Sequence, residues 1–144
     1  MAQQEASLSG SASDPNAEGS APLILVAEDN EDNRLIAATM LRHVGYRVAE
    51  ATTGAEAMNL ARTLEPALVL MDVGMPDIDG WTATRALKSD PKTRNIIIIA
   101  FTAHALPGDR ETARNSGCDG YLAKPIEPRR LAQEVARALA AHSH

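Results

Sequence analysis

From Leu23 onward, short apolar runs alternate five times with longer amphipathic stretches. The runs are LILVA (23–27), YRVAE (46–50), ALVLM (67–71), IIIIAF (96–101) and DGYLA (119–123). LILVA, ALVLM and IIIIAF are continuously apolar, the pattern of strands covered on both faces. YRVAE alternates between apolar and polar residues, which predicts an outer strand with one wetter face.

Helix signals fill the intervals. Asn30 is placed to cap a helix that carries Ile36, Met40 and Val44 on one face, with Gly45 closing it. Thr53 and Glu56 form a capping box ahead of Ala57, Leu60, Ala61 and Leu64, and Pro66 stops that helix. A third helix opens at Asp79 or Gly80 and runs to about Ser89, before Pro91. A fourth spans about Pro107 to Ser116 and ends at Gly117. Its cluster of Asp109, Arg110, Glu111 and Arg114 leaves little apolar face, so it is expected to be weakly anchored and mobile. The fifth runs from about Glu127 to Ala141, with Leu131, Val135, Ala138 and Leu139 at helical spacing.

The alternation is (βα)₅. Short connections and right-handed crossovers then give a parallel sheet sandwiched between helices, an α/β doubly wound fold. A sheet of this size commonly takes the order 2-1-3-4-5, with its site outside the carboxyl ends of the strands. Residues 22–141 are expected to form this one domain. Residues 1–21, rich in Ser, Ala, Gln and Gly with Leu8 the only large aliphatic, are expected to form a disordered tail.

Composition narrows the possible functions. Of the 144 residues, 44% are apolar but only 3% aromatic, so the core must be aliphatic, as in a covered parallel sheet. The formal net charge of −5 comes with no Lys/Arg run, which argues against direct nucleic-acid binding and against attraction to an anionic membrane. No apolar run approaches the roughly 20 residues of a membrane span. The N-terminus lacks the order of a signal peptide. Cys118 is the single cysteine, so no disulfide forms within the chain; it reads as a small hydrophobe in a reducing, cytoplasmic setting.

Polar residues then stand where the apolar runs end. Glu28 and Asp29 follow the first run, Asp72 the third, Thr102 the fourth and Lys124 the fifth. Singly each is ordinary: an acid at a strand–helix junction caps, a Thr turns, a Lys before Pro is solvated. Jointly they converge on one cleft. Carboxylates brought together repel unless a cation joins them, and an all-oxygen ligand set with water suits Mg²⁺. No Cys or His falls at zinc spacing. A divalent cation with a lysine and a hydroxyl is a set of parts for stabilising a transferring phosphoryl group, with Asp72 as its nucleophile.

The segments LILVAEDNEDN (23–33), LVLMDVGMPDIDG (68–80), IIAFTAH (98–104) and YLAKP (121–125) resemble the response-regulator receiver domains of two-component signalling. The resemblance covers residue 23 to about 141. It implies that Glu28 and Asp29 are the acidic pair that helps hold Mg²⁺, with Glu in place of the commoner Asp at the first position. Asp72 matches the phosphoacceptor, and Gly74 the position whose backbone carbonyl is a metal ligand. Thr102 matches the hydroxyl residue that turns toward the phosphoryl group, Lys124 the lysine paired with it, and Tyr121 the switch aromatic. The resemblance further implies a cis Lys124–Pro125 bond and a switching face built from the fourth helix, fifth strand and fifth helix. His104 falls at a position that tunes dephosphorylation in receivers; a phosphate-carrying role for this lone His is set aside.

The implied partners are a sensor histidine kinase or histidine phosphotransfer protein upstream and a protein target downstream. The chain is expected to be no enzyme beyond its own aspartyl phosphorylation and dephosphorylation. An opening Met, a short tail and an end just past the fifth helix favour a stand-alone receiver over part of a hybrid kinase. A haloacid-dehalogenase-like phosphohydrolase would need an acid two residues past its nucleophile, where this chain has Gly74. A pseudo-receiver acting only by binding would lack site residues that are all present here.

Overall fold

The computed structural model describes residues 21–102, 108–125 and 127–142. The tail expected over residues 1–21 therefore lies outside the described residues except for Ala21, as do His104 and the Pro107 start expected for the fourth helix.

Five strands and five helices alternate: β1 (Leu23–Ala27), α1 (Glu31–His43), β2 (Arg47–Ala51), α2 (Gly54–Leu64), β3 (Leu68–Asp72), α3 (Gly80–Ser89), β4 (Ile97–Thr102), α4 (Asp109–Ser116), β5 (Gly120–Ala123) and α5 (Pro128–Ala141). All strand pairs are parallel, in the expected order β2-β1-β3-β4-β5. The alternating run forms the β2 edge. Every residue of β3 and β4 is buried.

Strands β2, β3 and β4 each lie one residue later than the apolar runs predict, because backbone pairing and not hydrophobicity sets a strand's end. Asp72 pairs with Phe101 and Thr102 with Ala123, so both polar residues belong to the ladder. Asp119 falls before β5, and its side chain accepts the Ile98 amide at 2.9 Å.

One core layer joins Ile24, Val26, Leu70, Ile99 and Phe101 to Leu41 of α1 and Leu131 and Val135 of α5. The other joins Leu25, Val69, Met71 and Ile98 to Ala57 and Ala61 of α2 and Ala83 and Leu87 of α3. Each fully buried aliphatic side chain contributes about 1.5–3 kcal/mol.

Helix α1 corrects the predicted face. Its buried residues are Ala37, Ala38 and Leu41, whereas Ile36 and Val44 are exposed. The two alanines let the helix lie close to the sheet, and that contact turns the Ile36 stripe outward. In α2, Leu64 is likewise exposed and Ala57 and Ala61 make the contact. Caps follow the sequence more closely. Asn30 accepts from the Asn33 amide, Thr53 from Glu56, Asp79 from Thr82 and Glu127 from Arg130. The Glu56 carboxylate, however, reaches back to the amide and hydroxyl of Thr52, at 2.8 and 3.2 Å, and not to Thr53. Ala113 and Ser116 are the buried anchors of α4 among its described side chains.

Candidate functional site

The parallel register decides which side chains meet. Ala27 lies level with Met71, and Asp72 with Phe101, so the residues just beyond these pairs emerge together at the carboxyl ends. The ladder runs slightly past the strands. Glu28 N–H donates to Ala51 O, Val73 N–H to Phe101 O, and Lys124 N–H to Thr102 O at 2.7 Å. These bonds fix the backbone beneath the polar side chains.

Glu28, Asp29 and Asp72 each bring a carboxylate oxygen to within 4.8 Å of the other two. Glu28 and Asp72 are buried and Asp29 is exposed. The Lys124 ammonium stands between the buried pair, 2.8 Å from Glu28 Oε1 and 3.3 Å from Asp72 Oδ1. It also lies 5.0 Å from the centre of the Phe101 ring, a cation–π contact that helps hold it in place. Gly74 N–H donates to Asp72 Oδ1 at 2.9 Å. Both contacts on Asp72 fall on Oδ1, which fixes the carboxylate and leaves Oδ2 free of these two partners.

Glu28 is held from its other side. The Asn30 amide donates to its Oε2 at 2.9 Å, and the Arg34 guanidinium donates to its carbonyl at 3.0 Å while pairing with Glu50 at 3.2 Å. Its Oε1 nevertheless has no aligned hydrogen-bond donor among the described residues; Lys124 supplies charge there without a well-directed bond. Burial pushes the Glu28 carboxyl up to about 7, with Lys124 opposing and Asp72 reinforcing that rise. Burial also works against the charge on Lys124, but Glu28 and Asp72 outweigh it and its ammonium titrates above the usual lysine range.

Three converging carboxylates, one with a buried oxygen met by the Lys124 ammonium without an aligned hydrogen bond, outnumber the single lysine that faces them. That surplus of oxygen ligands and negative charge fits a hard divalent cation of the Mg²⁺ type.

Of the residues singled out from sequence, Glu28, Asp29, Asp72, Gly74 and Lys124 thus come together. Thr102 is buried at the end of β4, its carbonyl bonded to the Lys124 amide. The Lys124–Pro125 bond is cis, as the family resemblance implied. Tyr121 is half-buried on β5 and lines a cavity of about 490 Å³ with Phe101, Lys124, Pro125 and Leu131. Cys118 is half-buried beside Ser116 and Thr84, and burial pushes its thiol up, as suits a structural residue.

Sequence reasoning missed three contributors. The Phe101 ring carried no signal beyond its apolar run. Nothing in the sequence separates Arg34 from any other helix charge. Asp77 lies within the 68–80 motif with nothing in the sequence to mark a role, yet its two oxygens accept the amides of Gly54 and Ala55 at 2.8 and 3.0 Å.

A doubly wound α/β sheet with an acidic cleft and a lysine at its carboxyl ends defines the class. Residues 24–136 match the family model for the response regulator receiver domain, and the chain belongs to that family. It is therefore a receiver of two-component signalling. The polar-differentiation response regulator DivK of Brucella ovis is 38% identical over 112 residues, covering 78% of this chain and 91% of that protein. The receiver domain of a sensor histidine kinase from Pseudomonas aeruginosa PAO1, solved with a magnesium ion coordinated in its active-site cleft, is 37% identical with a TM-score of 0.77, covering 84% of this chain and 99% of that one. The signal receiver domain of a histidine kinase from Syntrophus aciditrophicus is 31% identical with a TM-score of 0.79, covering 86% and 94%. No helix among the described residues is long and apolar enough to cross a membrane.

Proposed function

We propose that Asp72 accepts a phosphoryl group from a phosphohistidine on a sensor kinase or phosphotransfer protein. The observation that carries this reading is the placement of Asp72 beside Lys124 and within 4.8 Å of the Glu28 and Asp29 carboxylates, with Lys124 and Gly74 both on its Oδ1. Oδ2 attacks phosphorus, the N–P bond of the donor breaks, and the electron pair and a proton return to the donor imidazole.

Glu28, Asp29, Asp72 and the Gly74 carbonyl are the residues that would hold Mg²⁺. When bound, the ion supplies positive charge to phosphoryl oxygens that Asp72 alone would repel. Lys124, already held over Asp72, offers its ammonium to another phosphoryl oxygen, and the Thr102 hydroxyl turns toward a third. Because Glu28 and Asp72 are buried and the strand ladder fixes the backbone beneath them, little reorganisation of these two accompanies transfer.

The charge change at Asp72 then biases a two-state element. Thr102 and Tyr121 lie on neighbouring strands leading to α4, β5 and α5. Tyr121 is the aromatic that shifts as Thr102 engages, and the reshaped face recruits a protein target in the cytoplasm.

The test is incubation with Mg²⁺ and acetyl phosphate, followed by intact mass measurement. A single hydroxylamine-labile phosphoryl adduct, lost in Asp72→Asn, is expected. No adduct, or an undiminished one in Asp72→Asn, overturns the reading. Multiple turnover of small phosphate esters would favour a hydrolase instead.

A further inference from the structure

Between Asp72 and α3 runs the loop 73–79, which carries the Gly74 amide that holds Asp72 Oδ1. Its base is closed tightly. Gly80 N–H donates to Val73 O at 3.2 Å, and a Cβ on Gly80 would lie 2.6 Å from Val73 Cα and 2.9 Å from Asp72 O. Met75 is buried in the core layer beneath α2 and α3. The outer arm of the loop is fastened to another element altogether. Asp77 Oδ1 accepts the Gly54 amide at 2.8 Å and Oδ2 the Ala55 amide at 3.0 Å, both from the first turn of α2.

Helix α2 already has its own N-cap, since Thr53 Oγ1 accepts from Glu56 N–H at 3.1 Å. Gly54 marks the same contact from the other side. A Cβ there would lie 2.9 Å from Ile78 Cβ and 3.0 Å from Ile78 O, so helix and loop are in direct backbone apposition. Glycine in a helix is about 1 kcal/mol less favourable than alanine, and at this position close approach explains it. The two donated amides hold the Asp77 carboxyl below the ordinary carboxylate range although the side chain is exposed.

We infer that Asp77 is a positioning residue for phosphoryl acceptance: by clasping the α2 N-terminus it fixes loop 73–79 and so keeps the Gly74 amide on Asp72. The inference rests on the proposed role of Asp72, but part of its consequence does not. Released from α2, the loop keeps Met75, Ile78 and its base as anchors, but its Asp77 arm is loosened and Gly74 N–H spends more time away from Asp72 Oδ1. Loss of that bond frees the carboxylate to rotate and displaces the Gly74 carbonyl beside it. A misplacement of this kind lowers the rate of transfer more than it lowers binding.

Two readouts test this in the full chain. In Asp77→Ala the amide of Gly74, followed by NMR, is expected to lose on the order of tenfold in hydrogen-exchange protection. Its phosphorylation rate at saturating acetyl phosphate is expected to fall by roughly tenfold, with a smaller change in half-saturation. Asp77→Asn, which keeps one acceptor oxygen, should recover part of both. Gly54→Ala, which pushes on Ile78 and leaves Asp77 intact, should move both in the same direction. Asp119→Asn, at the opposite end of the sheet, serves as the control for destabilisation alone. If Asp77→Ala melts earlier but keeps wild-type Gly74 protection, the carboxylate is a helix cap only and the inference fails. If protection falls while the wild type takes up no phosphoryl group, the clasp stands and the proposed acceptor role fails.

Discussion

Lys88 and Lys124 each meet a carboxylate from another element, at opposite ends of one sheet. At the amino ends, Lys88 donates to Asp119 Oδ2 at 2.9 Å, to Ile96 O at 2.7 Å and to Arg94 O at 3.3 Å. Its three protons have three acceptors, and Asp119 in turn accepts the Ile98 amide. At the carboxyl ends, Lys124 faces Glu28 and Asp72 together, Asp29 lies nearby, and Glu28 Oε1 is left without an aligned donor. The residue types are the same and the chemistry differs. A matched pair with complete hydrogen bonding stiffens a fold, whereas a surplus of buried carboxylates costs stability that a ligand can return.

Substitutions should separate the two ends. The largest effect is expected for Lys124→Met, which should slow phosphorylation by acetyl phosphate by about 10²-fold while leaving a folded protein, as judged by circular dichroism. Lys88→Met should do the reverse. It should cost about 2 kcal/mol in urea unfolding, by loss of charge-assisted bonds at a partly buried site, with an unchanged rate per folded molecule. Glu28→Gln, which removes one of two like charges, should raise stability without divalent cation by about 1 kcal/mol and weaken Mg²⁺ binding. The smallest effect is expected at Asp79, whose bonds to the Thr82 amide and hydroxyl at 2.9 Å hold its carboxyl below the ordinary range. Asp79→Ala should cost about 0.5–1 kcal/mol near neutral pH. Because the folded state lowers this acid's pKa, the cost should be full above about pH 4 and vanish as pH falls through the folded value.

Much of this was legible in the sequence. Period and composition gave the strands, their order in the chain and the polar residues at their ends, because a strand covered on both faces must be apolar throughout. Strand ends were misplaced by one residue because Asp72 and Thr102 are polar yet still pair in the ladder. The α1 face differs from its hydrophobic pattern because Ala37 and Ala38, not the larger aliphatics, make the close contact with the sheet. Contacts between distant segments left no pattern at all. Asp77 lies 23 residues from Gly54, and nothing local distinguishes it from any exposed loop acid. Lys88 and Asp119 are 31 residues apart, and their bond was equally hidden. Local rules reach helix caps; they do not reach across crossovers.

The contrast between the two ends comes down to whether the carboxyl-end surplus is a cation site. Titrating the metal-free protein with Mg²⁺ while recording its melting temperature tests this most directly. A binding cation raises the melting temperature progressively with its concentration. Wild type and Lys88→Met should show the same rise from different starting points, and Asp72→Asn a much smaller one. A melting temperature indifferent to Mg²⁺, or an equal rise in Asp72→Asn, would contradict the assignment of the site.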